Sequence, residues 1–137
     1  MAARLLNFAI LLVLLGLLHG AVRRWVSPGV AWLLLTLFAT TPMVQLVTGS
    51  LFVENLLTAL LLGMMTAVWC FGESGERGFL YLAAALGGTA MATKFGAIAF
   101  LVPALGCAAV EVWRHRKQSG ARWGLALGLL LIAAAPP

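Results

Sequence analysis

Charge is what this sequence has least of. Only 9% of its 137 residues are Asp, Glu, Lys or Arg, against about a quarter in an average soluble domain. Aspartate is absent, so all 4 acids are glutamates. With 63% of the chain apolar, too few polar residues remain to cover a water-soluble globule. A soluble enzyme, a nucleic-acid module and a disordered linker are thereby excluded. The 2 cysteines, Cys70 and Cys107, lie inside apolar runs, where a free thiol behaves as a small hydrophobe. They exclude a disulfide-stapled secreted domain and say nothing of redox compartment. There is no Walker A loop, no GxGxxG after a strand, no HExxH and no CxxC. An integral membrane protein is left, with a mean hydropathy of +1.04.

What the chain does have is long solid apolar runs, such as LLNFAILLVLLGLL and LLTALLLGMMTAVW. Barrel strands alternate polar and apolar residues, so these runs predict helices. At roughly 20 residues per span, the expectation is an all-α polytopic transmembrane bundle of about six spans in a single domain over residues 1–137. The apolar stretches place them at 5–19, 28–48, 53–71, 79–93, 95–113 and 123–135. Ser27-Pro28 reads as an N-cap and first-turn pair. Pro42 reads as a kink or an early end, and the polar stretch Gly72 to Gly78 as a turn.

The net charge of +5 and pI of about 10.3 arise from basic residues at the ends of apolar runs. That pattern points to topology and anionic lipid headgroups rather than nucleic acid. With alternating spans, Arg23, Arg24, Arg77, Arg114, Arg116, Lys117 and Arg122 share one side, and Arg4 and Lys94 the other. The positive-inside rule puts the first group in the cytoplasm of a multi-pass inner (plasma) membrane protein. The opening stretch also resembles a signal peptide, but cleavage there would export Arg23 and Arg24 against that bias. The sequence begins almost directly in a span and ends on Pro136-Pro137, so the expectation is a piece of a longer chain, with Met1 not necessarily a native start.

On the otherwise charge-poor side, two residues stand out. Glu54, followed by Asn55, opens the third span, and Lys94 lies between the fourth and fifth. Ionised groups near a bilayer usually face a cavity or a partner, so an ion pair or a shared water-filled pocket is one reading. The alternatives are that Glu54 complements a helix dipole and that Lys94 snorkels to headgroups. His19 and His115 fall at span ends without ligand-spaced partners. Small-residue pairs at Gly16/Gly20, Ala84/Gly88 and Gly124/Gly128 suit close helix packing.

The stretch TTPMVQLVTGSLFVENLLTALLLG, followed by FLYLAAALGGTAMATKFGAIAFLVPAL, resembles the GT-C membrane glycosyltransferases, in particular the protein O-mannosyltransferase-like and lipid A aminoarabinose transferase-like groups. There a proline-bearing helix leads to an outer turn whose acidic residue opens the next helix, here Pro42 and then Glu54-Asn55. A small-residue helix then ends in Thr-Lys, here Gly87-Gly88-Thr89 and Thr93-Lys94-Phe95. The closing AAAPP is similar to the helix that leads into a proline-tryptophan segment.

The resemblance implies transfer of a sugar from a polyprenyl-phosphate-linked donor to an acceptor at the outer membrane face. It implies Glu54 and Asn55 in the active-site cavity, Lys94 on the donor phosphate or in an ion pair, and a divalent metal ion as a possible cofactor with Glu54 as its ligand. It also implies a catalytic acid in an earlier outer loop, which a chain without Asp lacks. Transfer by this piece alone is therefore not expected. A small transporter or a non-catalytic assembly subunit are the alternatives. An inverted repeat would favour the transporter, and none is evident. The sugar, the acceptor and the oligomeric state are not legible.

Overall fold

A computed structural model describes residues 2–49 and 53–114. Among these there are helices and turns and no strand, so the fold is an all-α membrane fold. Six α-helices follow one another: α1 (Ala2–Val22), α2 (Pro28–Thr40), α3 (Pro42–Gly49), α4 (Glu54–Ser74), α5 (Arg77–Thr93) and α6 (Ile98–Arg114). A 3-10 turn, Phe95–Ala97, leads into α6. The expected sixth span, 123–135, lies outside the described residues. The chain divides into two compact units, with the boundary inside α4 between Leu62 and Gly63.

In unit 1, α1 is long and apolar enough to cross a bilayer. The pair α2 and α3 also passes that test, but it is bent by 59°. The cause is local. A proline disfavours helical backbone at the residue before it, and Thr41, just ahead of Pro42, is extended at φ −60°, ψ 128°. A break in lipid must satisfy its own freed backbone groups, and here the sequence TTPMVQ does so. The Thr41 N–H donates to Phe38 O at 3.1 Å. Thr41 Oγ1 donates to Leu37 O at 2.9 Å. Gln45 Nε2 reaches back to Ala39 O at 2.6 Å. Ser27 has extended backbone ahead of Pro28, but its hydroxyl makes no cap hydrogen bond. Leu11 and Leu14 of α1 pack against Ala59 of α4, with Phe38, Val44 and Leu62 around them.

Unit 2 holds the second half of α4, α5 and α6. The polar turn between α4 and α5 is tighter than the seven-residue stretch suggested. Only Gly75 and Glu76 stand outside the helices. Gly75 takes φ 69°, the left-handed conformation that ends many helices and that glycine adopts without a Cβ clash. Its N–H bonds Phe71 O at 2.7 Å. The buried face of α5 runs Leu80, Ala83, Ala84, Gly87, Gly88, Ala90, the helical spacing of one stripe. At Gly87 the approach is close, since a Cβ there would meet Met64 Sδ at 3.0 Å and Leu101 Cδ2 at 3.4 Å. Ala84 and Gly88 thus lie on a packing face. Among the described residues nothing comes within 4 Å of a Cβ built on Gly16 or Gly20. The helix α6 accommodates Pro103 within its length and buries Leu101, Ala104, Ala108 and Val112. Phe71, Leu80 and Val112 form a further cluster with Phe79.

Candidate functional site

Glu54 is the first residue of α4. Its carboxylate is half-buried, with Oε2 enclosed, and it stands where a helix N-terminus favours negative charge. Thr58 Oγ1 donates back to Glu54 O at 2.7 Å, which firms the first turn. Asn55 is 5% exposed. Its Nδ2 donates to Thr48 Oγ1 at 2.9 Å and to Asn7 Oδ1 at 3.3 Å. Asn7 in turn donates from Nδ2 to Val47 O at 3.1 Å and Thr48 O at 3.0 Å. A polar knot therefore joins α1, the end of α3 and the start of α4, all within unit 1. Asn7 was not singled out from sequence. Its one clue is position, as an amide inside the run LLNFAILL.

The knot and the paired arginines occupy opposite ends of α1. Asn7 is near its start, and Arg23 and Arg24 follow its last residue. At 1.5 Å per residue, the two ends are about 25 Å apart.

Lys94 belongs to unit 2. It closes α5 in extended conformation, its N–H bonding Ala90 O at 3.2 Å, and its side chain is exposed. Arg77 opens the same helix, so within this unit also the two basic positions stand at opposite helix ends. Arg114 ends α6. Arg116, Lys117 and Arg122 are outside the described residues, as is His115.

Unit 2 also contains a cavity of about 500 Å³ that sequence reasoning missed. Trp69, Gly72 and Glu73 of α4 face Cys107, Glu111 and Arg114 of α6 across it. Arg114 is paired with Glu111 at 2.9 Å, and the Trp69 indole N–H donates to Glu73 Oε1 at 2.7 Å. Gly72 makes room for the acid: a Cβ there would stand 3.0 Å from Glu111 Oε2. The spacing of Trp69 and Glu73, one helical turn apart, was a visible sign. The facing of α4 and α6 was not.

Among the described residues no group of three or more His, Cys, Asp or Glu side chains comes together to hold a metal ion. Glu54 offers one oxygen-donor side chain, which does not by itself build a metal centre.

A family model described as dolichyl-phosphate-mannose-protein mannosyltransferase matches residues 1–137. No curated protein and no solved structure gives a significant match.

Proposed function

The chain belongs to the dolichyl-phosphate-mannose-protein mannosyltransferase family, a family of membrane glycosyltransferases, and from that premise we propose that it takes part in moving a sugar from a polyprenyl-phosphate carrier to an acceptor at the outer membrane face. Such a donor keeps its isoprenoid tail in lipid and its charged phosphate at the membrane surface. The enzyme therefore needs a cation near one membrane level and a polar cavity beside it. Lys94, exposed at a helix end, is suited to the carrier phosphate. Glu54, with a carboxylate oxygen enclosed at the start of α4, is suited to orienting the acceptor hydroxyl or the catalytic acid beside it. Asn55, next to Glu54 and buried, is suited to lining the cavity in which that carboxylate would act.

The observation that carries this reading is the placement of Glu54. An acidic residue occupies the first turn of α4, at the end of unit 1 opposite to Arg23 and Arg24. With those arginines in the cytoplasm, Glu54 is on the outer side. Arg77 and Lys94 at the two ends of α5 follow the same rule. On this reading the protein sits in the plasma membrane with Arg23 and Arg24 inward, as the sequence pattern of basic residues suggests.

Transfer assays on Glu54→Gln and Lys94→Met placed in the full-length protein test the assignment. Loss of a positioned proton-handling or orienting carboxylate costs about a hundredfold or more in rate. Loss of a charge-assisted phosphate contact raises the donor KM by about tenfold or more. Wild-type kinetics in both variants would remove these residues from the site.

A further inference from the structure

We propose that Asn7 is a positioning residue: its buried amide ties the end of α3 to the start of α4 and so holds Glu54 in place. The inference rests on the reading of Glu54 given above and adds to it the element that keeps the carboxylate where it is needed.

The last turn of a helix leaves carbonyl groups without helical partners, and lipid offers no water to satisfy them. At the end of α3 two such carbonyls, Val47 O and Thr48 O, are taken by the two N–H bonds of one side chain, Asn7 Nδ2. The oxygen of the same amide accepts from Asn55. Asn55 also bonds Thr48 Oγ1, whose own proton goes to Val44 O at 2.7 Å. Asn7 is 7% exposed, so neither its donors nor its acceptor can be replaced by bulk water. Four bonds on three elements fix the two ends of the connection between α3 and α4. Glu54 is the residue next to Asn55 and shares its helical turn. Any drift of the α4 start moves the carboxylate with it.

The apolar contacts nearby are less directional. Leu11, Leu14, Ala59 and Val44 set how close the helices lie. They do not set how the first turn of α4 is rotated, because dispersion contacts have no angular preference of the hydrogen-bond kind.

The test uses the full-length protein in detergent, with Cys70 and Cys107 replaced by alanine and one reporter cysteine introduced. Val53→Cys reports on the start of α4, where Val53 is exposed beside Glu54. Glu76→Cys, in the exposed turn of unit 2, reports on the rest. In Asn7→Leu, a side chain of similar size without hydrogen bonds, the expected result is thiol labelling at position 53 faster by about tenfold through local opening. Labelling at position 76 stays at the parent rate. The kcat for transfer falls by about tenfold or more with donor KM within about twofold, as misplacement of an orienting group predicts. If Asn7→Leu does not fold, Asn7→Ser keeps a small polar group that cannot span both carbonyls, and the same readouts apply.

Parent labelling at position 53, equal acceleration at both positions, or, where Glu54→Gln itself impairs transfer, wild-type kcat despite fast labelling at position 53 would each overturn the proposal. Wild-type transfer by Glu54→Gln combined with selective labelling at position 53 overturns the functional reading and supports the tie.

Discussion

Gln45 Nε2 donates to Ala39 O across 2.6 Å, a side chain of α3 capping the helix that precedes it. Met43 N–H would have served that carbonyl in a continuous helix. The bend at Pro42 takes it away, and Gln45 restores the bond from the far side.

Gln45→Leu therefore removes a cap that lipid cannot replace. The expected loss is about 1–3 kcal/mol, the cost of leaving a carbonyl unsatisfied, read as a lower thermal midpoint in detergent or lipid. Gln45→Glu, which cannot donate when ionised, should lose as much. An unchanged midpoint in both would show that another group serves Ala39 O.

Gly75→Ala should cost about 1 kcal/mol, because φ 69° places a Cβ against the following carbonyl. Gly75→Asn should cost less, since asparagine tolerates this region. Equal losses would mean that the backbone at this turn relaxes. Thermal unfolding of the two variants side by side decides it.

Gly87→Ala and Gly87→Val separate contact from overpacking. The nearest atom to an added Cβ is Met64 Sδ at 3.0 Å, the far end of a flexible side chain that can yield. Alanine should therefore be tolerated within about 1 kcal/mol, whereas valine should cost about 1–3 kcal/mol. If the contact is the cause, Gly87→Val combined with Met64→Ala should cost less than the sum of the two single losses.

His19 lies 4.7 Å from the Trp32 ring at an interplanar angle of 36°. Its Nε2 is buried with no hydrogen-bond partner among the described residues. His19→Phe keeps a ring against Trp32 and removes the unsatisfied nitrogen. The expected outcome is a stability equal to or above that of the parent, by up to about 1 kcal/mol, read from the thermal midpoint. A clear loss would assign Nε2 a bond beyond the described residues.

Local devices in this protein were legible in its sequence, and distant ones were not. The bend needed only Pro42, since the steric conflict acts on the residue before it. The start of α4 needed only Glu54, an acid suited to a helix first turn. The turn between α4 and α5 was overestimated because Glu73, Ser74, Arg77 and Gly78 are polar or small yet still helical, and only Gly75 requires left-handed backbone. The polar knot was out of reach: Asn7 and Asn55 are 48 positions apart, and no periodicity connects them. The cavity between α4 and α6 was hidden for the same reason, since composition does not say which faces meet.

The broken pair α2 and α3 has a consequence for the bilayer itself. With α2 upright, its 13 residues rise about 20 Å. The 8 residues of α3, leaving at 59°, add only about 6 Å more. A straight helix of the same length would climb about 32 Å. Hydrophobic mismatch of several ångströms can be relieved by thinning of the surrounding leaflets, so as a single span this bent pair would favour a thinner bilayer beside it.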